Sequence, residues 1–312
     1  MILRVIQAEL FKAIRKKRVY VLASLMWLLV PLLSLIIAWV VNVNVSGSFV
    51  DDGVTLTDLL QVIASPAGIT RNLLLLSGNL APSFLIIVVG LLAALFIGDE
   101  KSQNMWKTVL TVAPNRFAVL TGKLLAAMIL LGVILWGGFL SGMLFGSIGM
   151  IFLPTTFGSG WGQLAQLYAL EWVFCTSAML FAFWLIWLFR NVALGVVGVF
   201  FLPNLLEGLY GIYAAVVGFD RVNRFNVWLE ALQLQNTLRE LPQYFFTTNL
   251  YAPSRFPITE IVGVIGGDVA DIGGPFSNFF DISLSQAALV MAVYGAIFAL
   301  LLAIGFWRSD VQ

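Results

Sequence analysis

The sequence predicts an all-α integral membrane protein with six transmembrane helices, and three observations predict it. Of its 312 residues, 60% are hydrophobic and only 11% charged, against about 25% charged in a soluble chain. The apolar residues collect in runs of about 20 or more, the length a helix needs to cross a hydrocarbon core about 30 Å thick. The basic residues gather at alternate ends of those runs, as the basic-inside rule requires. Residues 1–312 read as a single transmembrane domain.

Residues 1–18 open with an amphipathic helix. Leu3, Ile6, Leu10, Phe11 and Ile14 mark one face; Arg4, Lys12, Arg15, Lys16, Lys17 and Arg18 supply cations. Such a helix lies in the membrane interface, with its cations near anionic headgroups. The first crossing, 19–41, carries Pro31 and is too long for a signal-peptide core, so it is expected to stay in the membrane. Residues 42–70 are polar, with a short surface helix expected around Leu59, Leu60, Val62 and Ile63. The second crossing ends at Gly98 and begins between Leu73 and Phe84. Gly78, Pro82 and Ser83 interrupt it, which predicts a kinked or re-entrant outer part.

The third crossing, 118–150, carries Gly138, Gly142 and Gly146 at intervals of four, a ladder that lets another helix approach closely. A Pro/Gly-rich turn, 151–165, leads to the fourth crossing, 167–188. Arg190 and Asn191 turn the chain tightly into the fifth, 192–217, which Pro203 and Asn204 interrupt. Residues 219–283 form a long extracytoplasmic loop with an amphipathic stretch at 223–241 and then Pro242, Pro253 and Pro257. So long a loop is expected to carry structure of its own, and a small external cap lying partly on the membrane is the expectation. The last crossing, 284–306, is followed by Arg308.

The charges orient this bundle. Arg4, Lys12, Arg15 to Arg18, Lys101, Lys107, Arg116, Lys123, Arg190 and Arg308 fall on one side; only Arg71, Arg221, Arg224, Arg239 and Arg255 fall on the other. The first side is therefore expected to be cytoplasmic, with both ends of the chain on it, in a plasma or inner membrane.

Composition also excludes chemistry. There is no histidine, which removes the commonest general base and metal ligand. The single cysteine, Cys175, sits in an apolar run and reads as a small packing residue. No G-x-x-x-x-G-K-[ST] loop occurs, so the chain cannot hold ATP by that device. Net charge is +1, too little for a broad nucleic-acid surface. No catalytic, metal or cofactor constellation is evident, and none is expected.

Two carboxylates stand inside crossings. Glu207 follows Pro203-Asn204 and lies 15 residues past Val192, about 22 Å along a helix at about 1.5 Å per residue. A carboxylate at that depth is costly unless it faces water, protein or a cation. Glu207 and Asn204 are therefore candidates for a pathway or gate, and Glu171, near the outer end of the fourth crossing, is a weaker one. The competing reading is a hydrogen-bonded or snorkelling carboxylate.

The one dense internal run of charge is 99–116. Asp99 and Glu100 suit a helix start. Trp106, Leu110 and Ala113 recur at helical spacing, as do Met105, Val109 and Val112, and Pro114 ends the helix. This predicts a short amphipathic surface helix at 99–116 that can dock on a soluble partner. An acidic pair after a crossing, Trp-Lys and Val-Leu in a short helix, then Pro-x-Arg and a lysine opening the next crossing, resembles the membrane-spanning permeases of type-2 ATP-binding-cassette (ABC) transporters. The resemblance rests on Glu100, Trp106, Lys107, Leu110, Pro114, Arg116 and Lys123. Many relatives carry Gly-Thr or Asn-Thr before the aromatic position; here Asn104 precedes Met105.

The resemblance implies that residues 1–18 are an elbow helix and 99–116 a coupling helix, through which a separate ATPase subunit drives the membrane domain. It implies a second permease subunit, as homodimer or heterodimer, and export of a peptide, drug, lipid or glycan. The aliphatic and aromatic crossings suit a hydrophobic or amphipathic substrate. Two other classes compete: a membrane-embedded enzyme, and an ion-coupled secondary transporter, each built on Glu207.

Overall fold

The computed structural model describes residues 2–44, 55–79, 83–98, 116–189, 191–218, 240–255 and 282–308. Among these, all regular structure is helical. The side of the bundle that carries the N-terminal helix is called the near side, and the opposite one the far side.

Helix α1, Ile2–Ile14, is short and amphipathic. Leu3, Phe11 and Ile14 stay exposed while Glu9 and Ala13 are buried. Helix α2, Lys17–Asn44, makes the first crossing and contains a π-helical turn at Leu25–Leu29 just before Pro31. A proline has no N–H to give to the carbonyl one turn back. The Trp27 carbonyl there accepts the Ser141 hydroxyl of a neighbouring helix instead. Trp27 Nε1 returns a bond to Ile134 O at 2.9 Å, so the broken turn is also a join between helices.

Helix α3, Leu56–Ala64, starts at a capping box: Asp58 N donates to Thr55 Oγ1 and Thr55 N donates back to Asp58 Oδ2. It is the short helix expected at that place. The chain bends by 62° at Ser65 into α4, Pro66–Asn79, with proline in the first helical position, where its missing N–H costs nothing. Helix α5, Phe84–Gly98, is capped by Ser83, whose Oγ accepts from Ile86 N, and ends in a π turn at Ala94–Gly98. Its ten α-helical and five π residues reach about 22 Å, short of a full crossing.

Helix α6, Arg116–Gly149, is the central post, the most enclosed of the long helices. Its glycine ladder shows how the second crossing is built. A Cβ on Gly146 would lie 2.3 Å from Pro66 Cα, and one on Gly142 2.9 Å from Thr70 Cα. Further toward the near side, Lys123 of α6 donates to the Phe96 carbonyl of α5. Helix α4 thus packs on the far part of α6, and the end of α5 on its near part. The ladder therefore serves α4, except that Gly138 meets Met26 of α2.

Helix α7, Trp161–Phe189, begins six residues before the expected start at 167. Helix α8, Val192–Gly218, stays helical through Pro203, so the interruption expected at Pro203-Asn204 is corrected. Asn191 Oδ1 accepts from Ala193 N at 2.9 Å and so starts it. After a 3-10 turn at Leu241–Tyr244 and a five-residue helix α9, Phe246–Leu250, helix α10, Leu284–Arg308, ends the bundle. Five helices (α2, α6, α7, α8 and α10) are long and apolar enough to cross alone; α3 and α4, bent by 62°, reach that length only as a pair, and α5 is a shorter apolar helix.

A second expectation is corrected. The described part of the long loop, 240–255, is not laid over the outside as a cap. Phe246, Thr247, Thr248, Asn249, Leu250, Tyr251, Ala252 and Ser254 are all buried. The Phe246 ring sits 5.5 Å from Phe181 of α7 and 5.2 Å from Tyr294 of α10. Burying an aromatic side chain between two helices anchors the segment inside the bundle. The amphipathic stretch expected at 223–241 lies almost wholly outside the described residues.

Candidate functional site

Two places carry buried charge. The first is the near-side junction. Lys123 is fully buried, and its ammonium lies 2.5 Å from Glu9 Oε1 of α1, whose side chain is 11% exposed. The same ammonium donates to Phe96 O at 3.3 Å, and Lys16 Nζ donates to Leu95 O at 3.4 Å. Both carbonyls belong to the π turn that ends α5, where a looser turn leaves backbone acceptors open to side chains. Close packing completes the joint: a Cβ on Gly122 would lie 2.7 Å from Val5 Cγ1. Helix α1, the end of α5 and the start of α6 are thereby fastened to one another.

Residues 99–115 lie in the chain between Gly98 of α5 and Arg116 of α6. Glu100, Trp106, Lys107, Leu110 and Pro114 lie outside the described residues, and Arg116 is described only as the first residue of α6.

The second place lies in the interior, between α7, α8 and the inserted segment. Glu207 projects from α8 to the start of α9. Thr247 N donates to Glu207 Oε1 at 2.8 Å, and the Thr247 hydroxyl donates to Oε2. The first amides of a helix have no partner of their own, and a carboxylate there also meets the positive end of the backbone dipoles. Glu207 thus caps a helix from another part of the chain. Asn204 turns its amide onto its own helix, donating to Phe200 O at 2.6 Å, beside the turn that Pro203 disturbs.

Glu171 has a different environment. It is fully buried on α7, and neither carboxyl oxygen has a hydrogen-bond partner. Tyr168, one turn earlier, gives its hydroxyl to Thr70 O of α4 at 2.9 Å. Arg255, at the end of the inserted segment, is close enough to act electrostatically on both Glu207 and Glu171, with Glu207 the stronger influence. Tyr251 feels both carboxylates as well. Thr248 Oγ1 and Asn249 Oδ1 are buried without partners, and the Tyr251 hydroxyl reaches the side chain of Ser83. The structure therefore ties Glu207 to the start of α9 and leaves Glu171 without a bond, and puts Asn204 to use within its own helix.

Sequence reasoning missed Glu9, Thr247 and the role of Arg255. Glu9 had a signal: it is the one acid in an otherwise basic first helix. Lys123 was legible as a basic flank and as the lysine opening the crossing in the family resemblance, not as the buried partner of Glu9. Among the described residues no group of His, Cys, Asp and Glu is placed to hold a metal ion.

Compared with known proteins, the chain matches the family model described as ABC-2 family transporter protein over residues 5–203. That is well over half of its length, and the chain belongs to this family. It is a multi-pass membrane protein and a transport subunit of the ABC type, with the all-α fold the sequence predicts. No curated protein matches the chain.

Proposed function

We propose that this ABC-2 family member is the permease subunit of an ATP-driven exporter for a hydrophobic or amphipathic molecule such as a peptide, drug, lipid or glycan. A separate ATPase subunit would dock on residues 99–116, using Glu100, Trp106, Lys107, Leu110, Pro114 and Arg116. A second permease subunit, identical or related, would complete the pathway. The near side would be cytoplasmic, with both termini on it and the membrane the plasma or inner one.

The observation that carries this reading is the Glu9–Lys123 pair and its bonds to the end of α5. A partner that pushes on residues 99–115 must move α1, α5 and α6 together, because the three share one buried joint. Association of charges in so dry a place is hard to break, so a push would be transmitted rather than absorbed. The rival readings lose support from Glu207, since Thr247 already engages both of its oxygens. That leaves it poorly placed as a catalytic base or as an ion-coupling site.

The test is co-purification from native membranes of the wild type and of a Trp106→Ala, Arg116→Glu variant. An ATPase subunit with a phosphate-binding loop is expected with the wild type and lost from an equally well inserted variant. If no ATPase accompanies the wild type, and the purified chain alone transports or converts a substrate, the reading is wrong.

A further inference from the structure

Helix α1 is fastened to the bundle on one side. That side holds Glu9 and Ala13, both buried, with Glu9 on Lys123 and Val5 against Gly122 of α6. At about 100° per residue, Leu3, Ile14, Phe11 and Arg4 succeed one another round the opposite side. Leu3 is 72% exposed, Phe11 58% and Ile14 52%, and Arg4 is exposed as well. Arg15, just past the end of the helix, is exposed and holds its guanidinium 4.0 Å from the centroid of the Phe11 ring. The outward side is thus an apolar strip with two arginines along one edge.

Two observations say what covers this strip. The first is position. Only Arg15 and Lys16 join α1 to α2, a link of at most about 11 Å. The first turn of α2 already exposes Tyr20 and Val21. Because α2 is a crossing, these side chains meet acyl chains, and α1 stands at the level where that leaflet ends. The second is charge. Glu9 is the only acid in the first 50 residues, and the structure turns it inward onto Lys123. No carboxylate is left on the outward side to oppose an anionic surface. An apolar strip edged by cations fits the boundary between acyl chains and anionic headgroups, and stacking on Phe11 keeps the Arg15 charge at the rim of the strip.

We propose that α1 is a two-sided strap. Glu9 holds its inner side to α6, and anionic phospholipid of the near-side leaflet holds its outer side through Arg4, Arg15 and the strip of Leu3, Phe11 and Ile14. The charge of the leaflet then sets how firmly the joint of α1, α5 and α6 is closed, because a partner that binds α1 only in its helical, seated form stabilises that form. The strap needs no ATPase and stands apart from the transport reading.

The experiment follows amide hydrogen exchange of the full chain, purified free of other proteins, in nanodiscs of phosphatidylcholine alone or mixed with phosphatidylglycerol. One cation near an anionic surface contributes about 1 kcal/mol, which is about fivefold in binding. The amides of α1 are therefore expected to exchange at least about fivefold more slowly in the anionic discs, with those of α10 unchanged as the reference. Arg4→Gln with Arg15→Gln is expected to abolish the difference; Arg4→Lys with Arg15→Lys should keep most of it. Equal exchange of wild-type α1 in the two discs overturns the proposal. So does a difference that survives the glutamine pair, or one that α10 shares. Slowing by inorganic phosphate in neutral discs would mean a site for a soluble anion, and slowing only in the presence of a co-purified ATPase would mean that a protein covers the strip; either sinks the proposal. The transport reading falls on a different result, the absence of any ATPase from native membranes.

Discussion

The near-side junction and the interior cluster both bury carboxylates, yet they treat them in opposite ways. At the junction Glu9 is matched by Lys123, and the remaining protons of that ammonium reach toward a backbone carbonyl. In the interior, Glu207 is matched by Thr247 and Glu171 by nothing. A matched buried charge works as a fastener, since losing either partner strands the other. An unmatched one contributes no hydrogen bond to the fold. The difference separates a joint that ties three helices together from an interior where one carboxylate is left without a bond.

The sharpest way to break this comparison is Lys123→Met, which strands the Glu9 carboxylate. Thermal or detergent unfolding should show about 3–5 kcal/mol of lost stability. The double variant with Glu9→Leu should recover most of it, since an apolar pair of similar size replaces a buried ion pair at little cost. If the double variant is as unstable as the single one, the pair is not the fastener.

Glu207→Ala comes next. It leaves the Thr247 amide and hydroxyl unpaired, for about 2 kcal/mol. The effect should be local: hydrogen exchange and protease cutting should rise in 240–255 while α6 stays protected. Glu207→Gln keeps an acceptor and should lose less. Uniform loosening of the bundle would contradict the capping role.

Packing supplies a control that involves no charge. Gly146→Ala puts a Cβ 2.3 Å from Pro66 Cα, and a contact that close to backbone should cost about 1–3 kcal/mol. Gly162→Ala meets nothing within 4 Å and should leave unfolding unchanged. Glu171→Gln should be the smallest of all, close to zero in stability, because it removes no hydrogen bond. A stability loss there comparable to that of Glu207→Ala would erase the contrast between matched and unmatched carboxylates.

Much of the bundle was legible in the sequence. A crossing must be apolar over its whole length, so each announces itself, and α2, α6, α8 and α10 start and stop within a few residues of their expected ends. The interruption of the second crossing was legible too, because Gly78, Pro82 and Ser83 interrupt the apolar run there. What was not legible was the fate of 240–255. Thr247, Thr248, Asn249 and Ser254 make that stretch polar, and polarity alone reads as solvent exposure. Only a carboxylate from another helix makes it possible to bury such a segment, by supplying acceptors for its helix start. Lys123 was opaque for a similar reason: a lysine seven residues into a crossing reads as a flank, and its partner is 114 residues away.

Sequence by itself determined the solvent of this protein, its all-helical build, the positions of most of its long helices and the family to which it belongs. These follow from local composition and spacing, which a bilayer reads one helix at a time. Tertiary structure decided which charges are spent and which are left. Glu9, Glu171 and Glu207 are chemically the same side chain, and each owes its role to what another helix places opposite it. Pairing of that kind is a property of distance in space, and distance along the chain does not contain it.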